Sequence, residues 1–360
     1  MAVAVGPRPL PRVLLSSDLG ANAVREAHRA GLTPVRRGAF VEPLDGASER
    51  AEAEHLAAAA VAAVGRRLTN GAVFTHESAA LLHGLWLLHA PDLVHVTQQS
   101  RPRRQAAGLR RHTGAVQADV LTEVNGLRAS NVERTVVDCA KSMHPRDALV
   151  VADSGMRLLL QPHRRRRDDV EQRAEELRLR LRAMVESGAR HGRRQARAVI
   201  AHADPFSESP YESVIRWVAV SRGLPGPVLQ ARFRIRGNTY YVDLCWLFEL
   251  TVDGRPFRLL LLVEYDGERK YGADGAAGAA ATAHAAAQRV IAEKRREDDL
   301  RSMPDTVMVR FDRRDAYRDE QTFRRLCERL PAAYATGLRP VPELLGCAAP
   351  RARRRPAGAG

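Results

Sequence analysis

Residues 239–250, TYYVDLCWLFEL, and 257–267, FRLLLLVEYDG, decide how the chain is read. Each is a strand-length run of apolar, β-branched and aromatic residues, and each carries acids that an apolar strand does not need. Side chains alternate across a strand, so Glu264 and Asp266 share one face of the second run. Asp243 stands between Val242 and Leu244 in the first run, where burying an acid is costly unless a cation or hydrogen bonds answer it. Three acids on neighbouring strands make a donor set for a divalent ion. Mg²⁺ favours a few carboxylates together with water and phosphate oxygens, and it can activate water and stabilise the charge that develops in phosphodiester cleavage. A plainer reading stays open beside it, with Asp243 a hydrogen-bonded edge residue and Tyr265-Asp266-Gly267 a turn that closes the strand.

Working outward, VLQARFRIR at 228–236 predicts a further strand, joined to the first run as a hairpin through Gly237-Asn238. Upstream, SESPYESVIRWVAVSRGLP at 207–225 predicts an amphipathic helix with Ser209 as N-cap, Pro210 in the first turn and a stop at Gly223 and Pro225. Glu212 on that helix is placed to join the acids as a further ligand or to orient a water. Downstream, a helix over about His284 to Arg301, the strand TVMVRFD at 306–312 and a helix to about Leu330 complete an α/β unit.

The ordered motifs SPYES, GLPGPVLQ, YYVDLCW, LLVEYDGERKY, EKRREDDLR and VMVRFDRRD closely resemble a bacterial domain family related to very-short-patch-repair endonucleases, of the PD-(D/E)XK superfamily. The resemblance spans about 125 residues of this sequence. It implies a restriction-endonuclease-like fold, Mg²⁺ as cofactor and DNA as substrate. Catalytic roles would fall on Asp243 and Glu264, with Glu212 as the helix acid and Asp266 beside them. A complete motif would carry Lys two residues after Glu264, and this chain has Asp266 there. Lys270 and Lys294 are the displaced cations that could hold the attacking water or stabilise the developing charge, and Arg295 and Arg296 could clamp phosphate oxygens. Lysine is scarce enough to draw attention, with only Lys141, Lys270 and Lys294 among 57 basic residues. For Arg295 and Arg296, an exposed helix face paired with Glu293 and Glu297 is the competing reading.

The first half is less specific. ANAVREAHRAGL at 21–32 and VRRGAFVEP at 35–43 predict a short helix and a hairpin like the end of a winged helix-turn-helix. Arg25, Arg29, Arg36 and Arg37 are its candidate nucleic-acid contacts, since phosphate contacts supply most nonspecific DNA affinity. An ordinary surface helix and hairpin is the alternative. With THESAALLHGL at 75–85 and VERTVVDCAK at 132–141, this region more loosely resembles abortive-infection antitoxin-like proteins of the AbiEi type, which implies DNA binding through an N-terminal winged helix, autoregulation or phage defence. His76 and His83 stand seven apart on a predicted helix without an acidic partner at ligand spacing, and read as structural histidines. Asp138 reads as a hydrogen-bonded helix-packing residue. The run HRRRRDD at 163–169 opens a charge-laced helix that reads as a solvated face.

The full set of expectations is an α/β (α+β) chain: a winged-helix-like region at 1–45, a mixed α/β middle domain at 46–160, a helical connector at 161–204, a restriction-endonuclease-like domain at 205–335 and a disordered basic tail at 336–360. At 360 residues the chain has length for two or three cores. A net charge of +15 favours a polyanionic partner, with nucleic acid first. No apolar run reaches the roughly 18 residues of a membrane helix, and no signal-peptide core opens the chain, so the cytoplasm is the expected compartment. Cys139, Cys245, Cys327 and Cys347 lack CxxC spacing and read as reduced. Two functions from different classes follow: a Mg²⁺-dependent DNA endonuclease in phage defence or DNA repair, or a noncatalytic DNA-binding regulator or antitoxin that keeps the nuclease fold as a scaffold. A toxin-partner protein acting through protein contacts alone is the third.

Overall fold

A small antiparallel sheet opens the chain in the computed structural model, which describes residues 3–20, 22–68, 71–99, 106–267 and 279–346. β1 (Val13–Leu15) leads through α1 (Ser16–Leu19) and α2 (Ala23–Arg29) to β2 (Thr33–Arg36) and β3 (Ala39–Val41), in sheet order β1-β3-β2. α3 (Glu49–Gly65) starts where the Ser48 hydroxyl accepts the Ala51 N–H at 3.3 Å. Its alanines permit close approach, and Ala59 and Ala63 bury Val13, Leu15, Ala39 and Val41 beneath the helix.

A second sheet follows, in order β6-β5-β4-β8-β7, built from β4 (Val73–Phe74), β5 (Val94–Gln98), β6 (Leu109–Thr113), β7 (Leu121–Val124) and β8 (Leu127–Ser130), with α4 (His76–Leu82) between β4 and β5. Four helices follow: α5 (Val132–Ser142), α6 (Pro145–Leu160), α7 (Arg167–Ser187) and α8 (Arg193–His202). The charged α7 hides one stripe, Val170, Ala174, Leu177, Leu181 and Val185, at the three-to-four-residue spacing of a helix face, and packs on α5, α6 and α8. All of this belongs to one compact unit, Val3–Pro205.

The second unit begins at Phe206. α9 (Pro210–Ser221) starts on a complete cap: the Ser209 hydroxyl accepts the Glu212 N–H at 3.2 Å and donates to Glu212 Oε1 at 2.9 Å. β9 (Val228–Ile235), β10 (Asn238–Val252) and β11 (Arg255–Tyr265) form an antiparallel meander, and α10 (Ala279–Arg301) carries the chain to β12 (Thr306–Phe311), parallel to β11. The sheet order is β12-β11-β10-β9. Both hairpins turn on residue pairs of positive φ, Arg236-Gly237 and Asp253-Gly254, which match the right-handed strand twist. The first turn therefore lies one residue earlier than Gly237-Asn238, and Asn238 already pairs with Ile235.

α11 (Asp319–Cys327), α12 (Ala332–Gly337) and α13 (Pro342–Leu345) close the unit. The expected disordered tail from 336 is corrected as far as Gly346: Leu344 is fully buried, its carbonyl accepts the Trp217 Nε1–H at 2.8 Å, and the Val341 N–H donates to Ser221 O at 2.9 Å. Residues 347–360, with the Arg-rich end and Cys347, lie outside the described residues. Cys139, Cys245 and Cys327 are free thiols. No helix among the described residues is long and apolar enough to cross a membrane.

Gly223 ends α9 at φ 94°, and a Cβ there would meet Arg339 O at 2.3 Å. Gly223→Ala should therefore lift the 339–346 segment off α9 and cost about 1–3 kcal/mol in urea unfolding. An unchanged midpoint would mean that the segment does not brace the helix.

Candidate functional site

The buried acids of the second unit are arranged around Asp243 on β10. Asp243 marks the place where β10 leaves its neighbours. The β10–β11 ladder runs from Val252↔Arg255 to Leu244↔Val263 and stops there. Beyond it the Asp243 carboxylate takes over as acceptor, receiving the Tyr265 N–H at 3.0 Å and Gln230 Nε2 at 3.1 Å. Gln230 stands opposite Asp243 between the ladder pairs Val242↔Ala231 and Leu244↔Leu229, with φ 48°. A non-glycine residue held in that region is strained, a feature that collects at functional sites. Gln230 is 2% exposed, and its Oε1 is buried with no hydrogen-bond partner among the described residues.

Glu264, 7% exposed near the end of β11, is paired through Oε1 with the Arg296 guanidinium from α10. The same Arg296 nitrogen donates to Tyr241 O at 2.8 Å, a carbonyl on the part of β10 that has left the β11 ladder. Arg310 on β12 stands 3.8 Å from Glu264 Oε2 and also pairs with Glu293 at 2.7 Å. Burial works against the charge on Arg296, and the pairing with Glu264 outweighs it and holds the guanidinium firmly protonated. One turn beyond Arg296, α10 is also held by Asp299, which accepts from Arg236 at 3.0 Å and from the Tyr240 hydroxyl at 2.6 Å.

Glu212 completes the group from the first turn of α9. It is 5% exposed, and its carboxylate accepts the Glu208 N–H at 2.9 Å besides the Ser209 hydroxyl. Burial, and then the charge of Asp243, push its carboxyl up to about 8. Asp243 is raised as well, by burial first, against the bond from Tyr265 N–H, and by its neighbours Glu264 and Glu208. These acids thus repel one another inside the protein, the situation that a bound cation relieves.

The sequence-predicted residues have different outcomes. Glu212 and Glu264 are each within electrostatic reach of Asp243, but the three acids are not among the described residues whose ligand atoms lie within 4.8 Å of one another. Asp266 lies one residue past β11, its N–H donating to Phe311 O at 2.8 Å. Lys294 and Arg295 are exposed on α10. Lys270 lies outside the described residues. Arg296, expected on phosphate, sits on Glu264 instead. Gln230 and Glu208 were not singled out. A polar residue on the strand facing Asp243 was the available signal for Gln230, and the SES triplet before Pro210 for Glu208.

In the first unit, Arg25 and Arg29 lie exposed on α2, Arg37 is exposed in the β2–β3 turn, and Arg36 is half-buried. His28, Arg36 and Arg37 line a groove between α2 and that hairpin. Burial, then the neighbouring charges of Arg67 and Arg111, lower the Arg36 guanidinium from its usual value. Arg67 donates to the backbone carbonyls of Arg37 and Gly38 at 2.9 and 2.7 Å. Like charges crowded in this way are a fitting place for a polyanion. Asp138 is buried and accepts from Arg134 Nε at 2.8 Å, the helix-packing role expected of it.

Compared with protein-family models, with curated proteins and with solved structures, the chain matches none.

Because its folded-state value lies above the ordinary 4.5, Glu212 keeps its proton on folding where the unfolded chain has released it. Its contribution to stability is greatest at low pH and falls as pH rises from about 4.5 to about 8. In EDTA, Glu212→Gln should flatten the decline in urea-unfolding stability between pH 5 and 8. A slope equal to that of the wild type would show that Glu212 ionises normally.

Proposed function

We propose that the chain is a DNA-binding protein whose second unit hydrolyses phosphodiester bonds with Mg²⁺. The observation that carries this reading is that Asp243 is buried within electrostatic reach of both Glu212 and Glu264, the latter paired with Arg296; the carboxylates would have to draw closer to share an ion. The succession helix, three-stranded meander, crossover helix and parallel fourth strand supports a restriction-endonuclease-like domain of the very-short-patch-repair type. The donor set fits a hard divalent ion, being all carboxylate oxygens, with the unpartnered Gln230 Oε1 as a further hard oxygen beside Asp243. Asp243 and Glu212 would hold the ion, and Glu264 would offer the oxygen that Arg296 does not engage. When bound, Mg²⁺ supplies a water of lowered pKa and neutralises phosphate oxygens.

The side chains account for the rest of the chemistry. Without an ion, burial and the charge of Asp243 keep Glu212 protonated; a bound cation would release that proton to solvent and leave a carboxylate able to hold the ion and orient its water. Arg296 remains charged at any working pH, so it can hold a phosphate oxygen and balance developing charge but cannot act as a base. It thereby takes over the electrostatic part of the role of the lysine missing at Asp266. DNA would be gathered by the α2 and β2–β3 groove lined by Arg36 and Arg37, with the charges of Arg67 and Arg111 near Arg36, in keeping with the winged-helix-like reading.

A second reading has its own observation. Arg296 already neutralises Glu264, and a scaffold that binds DNA without cutting it would show such a closed pair. Plasmid and linear DNA incubated with the full chain in Mg²⁺ or EDTA distinguish the two. The nuclease reading predicts Mg²⁺-dependent nicking or cutting, reduced about a hundredfold or more in Asp243→Asn and Glu264→Gln, with unchanged DNA affinity that weakens steeply with salt. Binding without cleavage favours the scaffold, and no binding at low salt removes both.

A further inference from the structure

The first unit contains a cluster that neither DNA binding nor phosphodiester hydrolysis uses. His76 opens α4, His95 lies on β5 and His112 on β6, and one ring nitrogen of each lies within 4.8 Å of the other two. The topology explains the meeting. Thr97 pairs with His112 across the parallel β5–β6 ladder, and His95, two residues before Thr97, projects from the same face of β5. His76 reaches that face from the helix start, its ring stacked on His112 with centroids 3.8 Å apart and planes 9° from parallel.

We propose that His76, His95 and His112 form a three-histidine site for a borderline transition-metal ion of the Zn²⁺ class. For tetrahedral bonds of about 2.0–2.1 Å, ligand nitrogens stand roughly 3.3–3.4 Å apart, and His112 Nε2 lies 3.3 Å from His95 Nδ1. The outer partners are those a metal-binding imidazole uses. His95 turns Nε2 to Glu77 Oε2 at 3.1 Å, a carboxylate–histidine arrangement that aims Nδ1 into the cluster. His76 Nδ1 lies 3.0 Å from Thr75 Oγ1, and that hydroxyl is itself fixed by Thr97 Oγ1 at 2.9 Å. Thr75, at the N-cap position of α4, accordingly makes no side-chain cap: its hydroxyl is engaged with the His76 ring and Thr97.

Backbone strain is a second, independent observation. His76 is held at φ 54°, a region that a side chain with a ring rarely occupies without compensation. His83, seven residues on, shows the contrast: it is buried, its Nε2 lies 2.7 Å from Ser130 O, and it has the structural role expected of both histidines. Imidazole donors select Zn²⁺, Ni²⁺, Cu²⁺ or Fe²⁺ over Mg²⁺, so this site and the carboxylate site of the second unit take different ions. Three protein ligands leave a fourth position for water or a substrate. A bound ion would also pin β6, the edge strand of its sheet, to β5 and α4.

The test is a titration of tag-free, full-length, EDTA-stripped protein with Co²⁺, followed by visible d–d absorption, and with Zn²⁺, followed by calorimetry. One ion per chain is expected in the presence of millimolar Mg²⁺. At about a hundredfold excess over Kd it should raise the melting temperature of the first unit by roughly 5–10 °C. His112→Gln, on an edge strand, and His76→Asn, which tolerates positive φ, should each weaken binding at least a hundredfold while the metal-free melting temperature stays within a few degrees. Asp243→Asn should bind as the wild type does. No stoichiometric binding by the folded wild type, or a smaller loss in either histidine variant, overturns the proposal.

Discussion

Carboxylates buried where two strands part must be answered by something, and the second unit is organised around that requirement. Asp243 accepts from β9 through Gln230 and from β11 through Tyr265, so it stands in for the ladder that ends at Leu244↔Val263. Glu264 lies just past that end and is answered by Arg296. Because Arg296 comes from the crossover helix, the docking of α10 and the electrostatics of the site are one interaction, and Asp299 with Arg236 and Tyr240 fixes the same helix from the hairpin. Removing one partner of such a buried pair commonly costs more than the pair contributes, since the survivor is left charged and dry. Glu212 takes the other route open to a buried acid and holds its proton to about pH 8.

The first unit handles charge in the opposite sense. Arg36 is crowded by Arg67 and Arg111, and burial lowers it further, so this surface gains from an anion as the acids gain from a cation. Its histidines are of another kind. Burial holds His95 down to about 4, keeping its ring neutral, with Nδ1 in contact with His112 Nε2 and Nε2 on Glu77. The chain therefore has three chemically distinct places: hard carboxylate oxygens, crowded guanidiniums and converged imidazoles.

Much of the second unit was legible from residue type and period. Asp243 stood out as an acid inside an apolar run and Ser-Pro-x-Glu gave α9 with its cap, while the alternation argument placed Glu264 and Asp266 on one face of a strand that in fact ends at Tyr265. Glu212, expected as a ligand or water-orienting acid, also closes the helix end through its carboxylate, a role the sequence reading did not assign to it. Positive-φ positions were harder, because nothing in VLQAR announces that Gln230 turns left-handed, and the first hairpin turn fell on Arg236-Gly237. Arg296 was noted for its charge, but helix spacing cannot say whether a long side chain ends on phosphate or on Glu264. His95 and His112 escaped notice because they meet through a parallel pairing across a 17-residue separation, with no local motif to mark it. The segment at 336–346 was misread because a single buried leucine, a hydrogen bond from the Trp217 indole and a backbone hydrogen bond to Ser221, rather than any periodicity, hold it in place.

The central claim is that the buried acids of the second unit form a cation site and not only a charge-balanced core. Crystals grown or soaked with Mn²⁺ and measured at its absorption edge would test it most directly. The account predicts an anomalous peak about 2.0–2.5 Å from carboxylate oxygens of Asp243 and Glu212. No peak at that point under millimolar Mn²⁺, with Arg296 seated on Glu264 and Gln230 Oε1 still unpartnered, would contradict it.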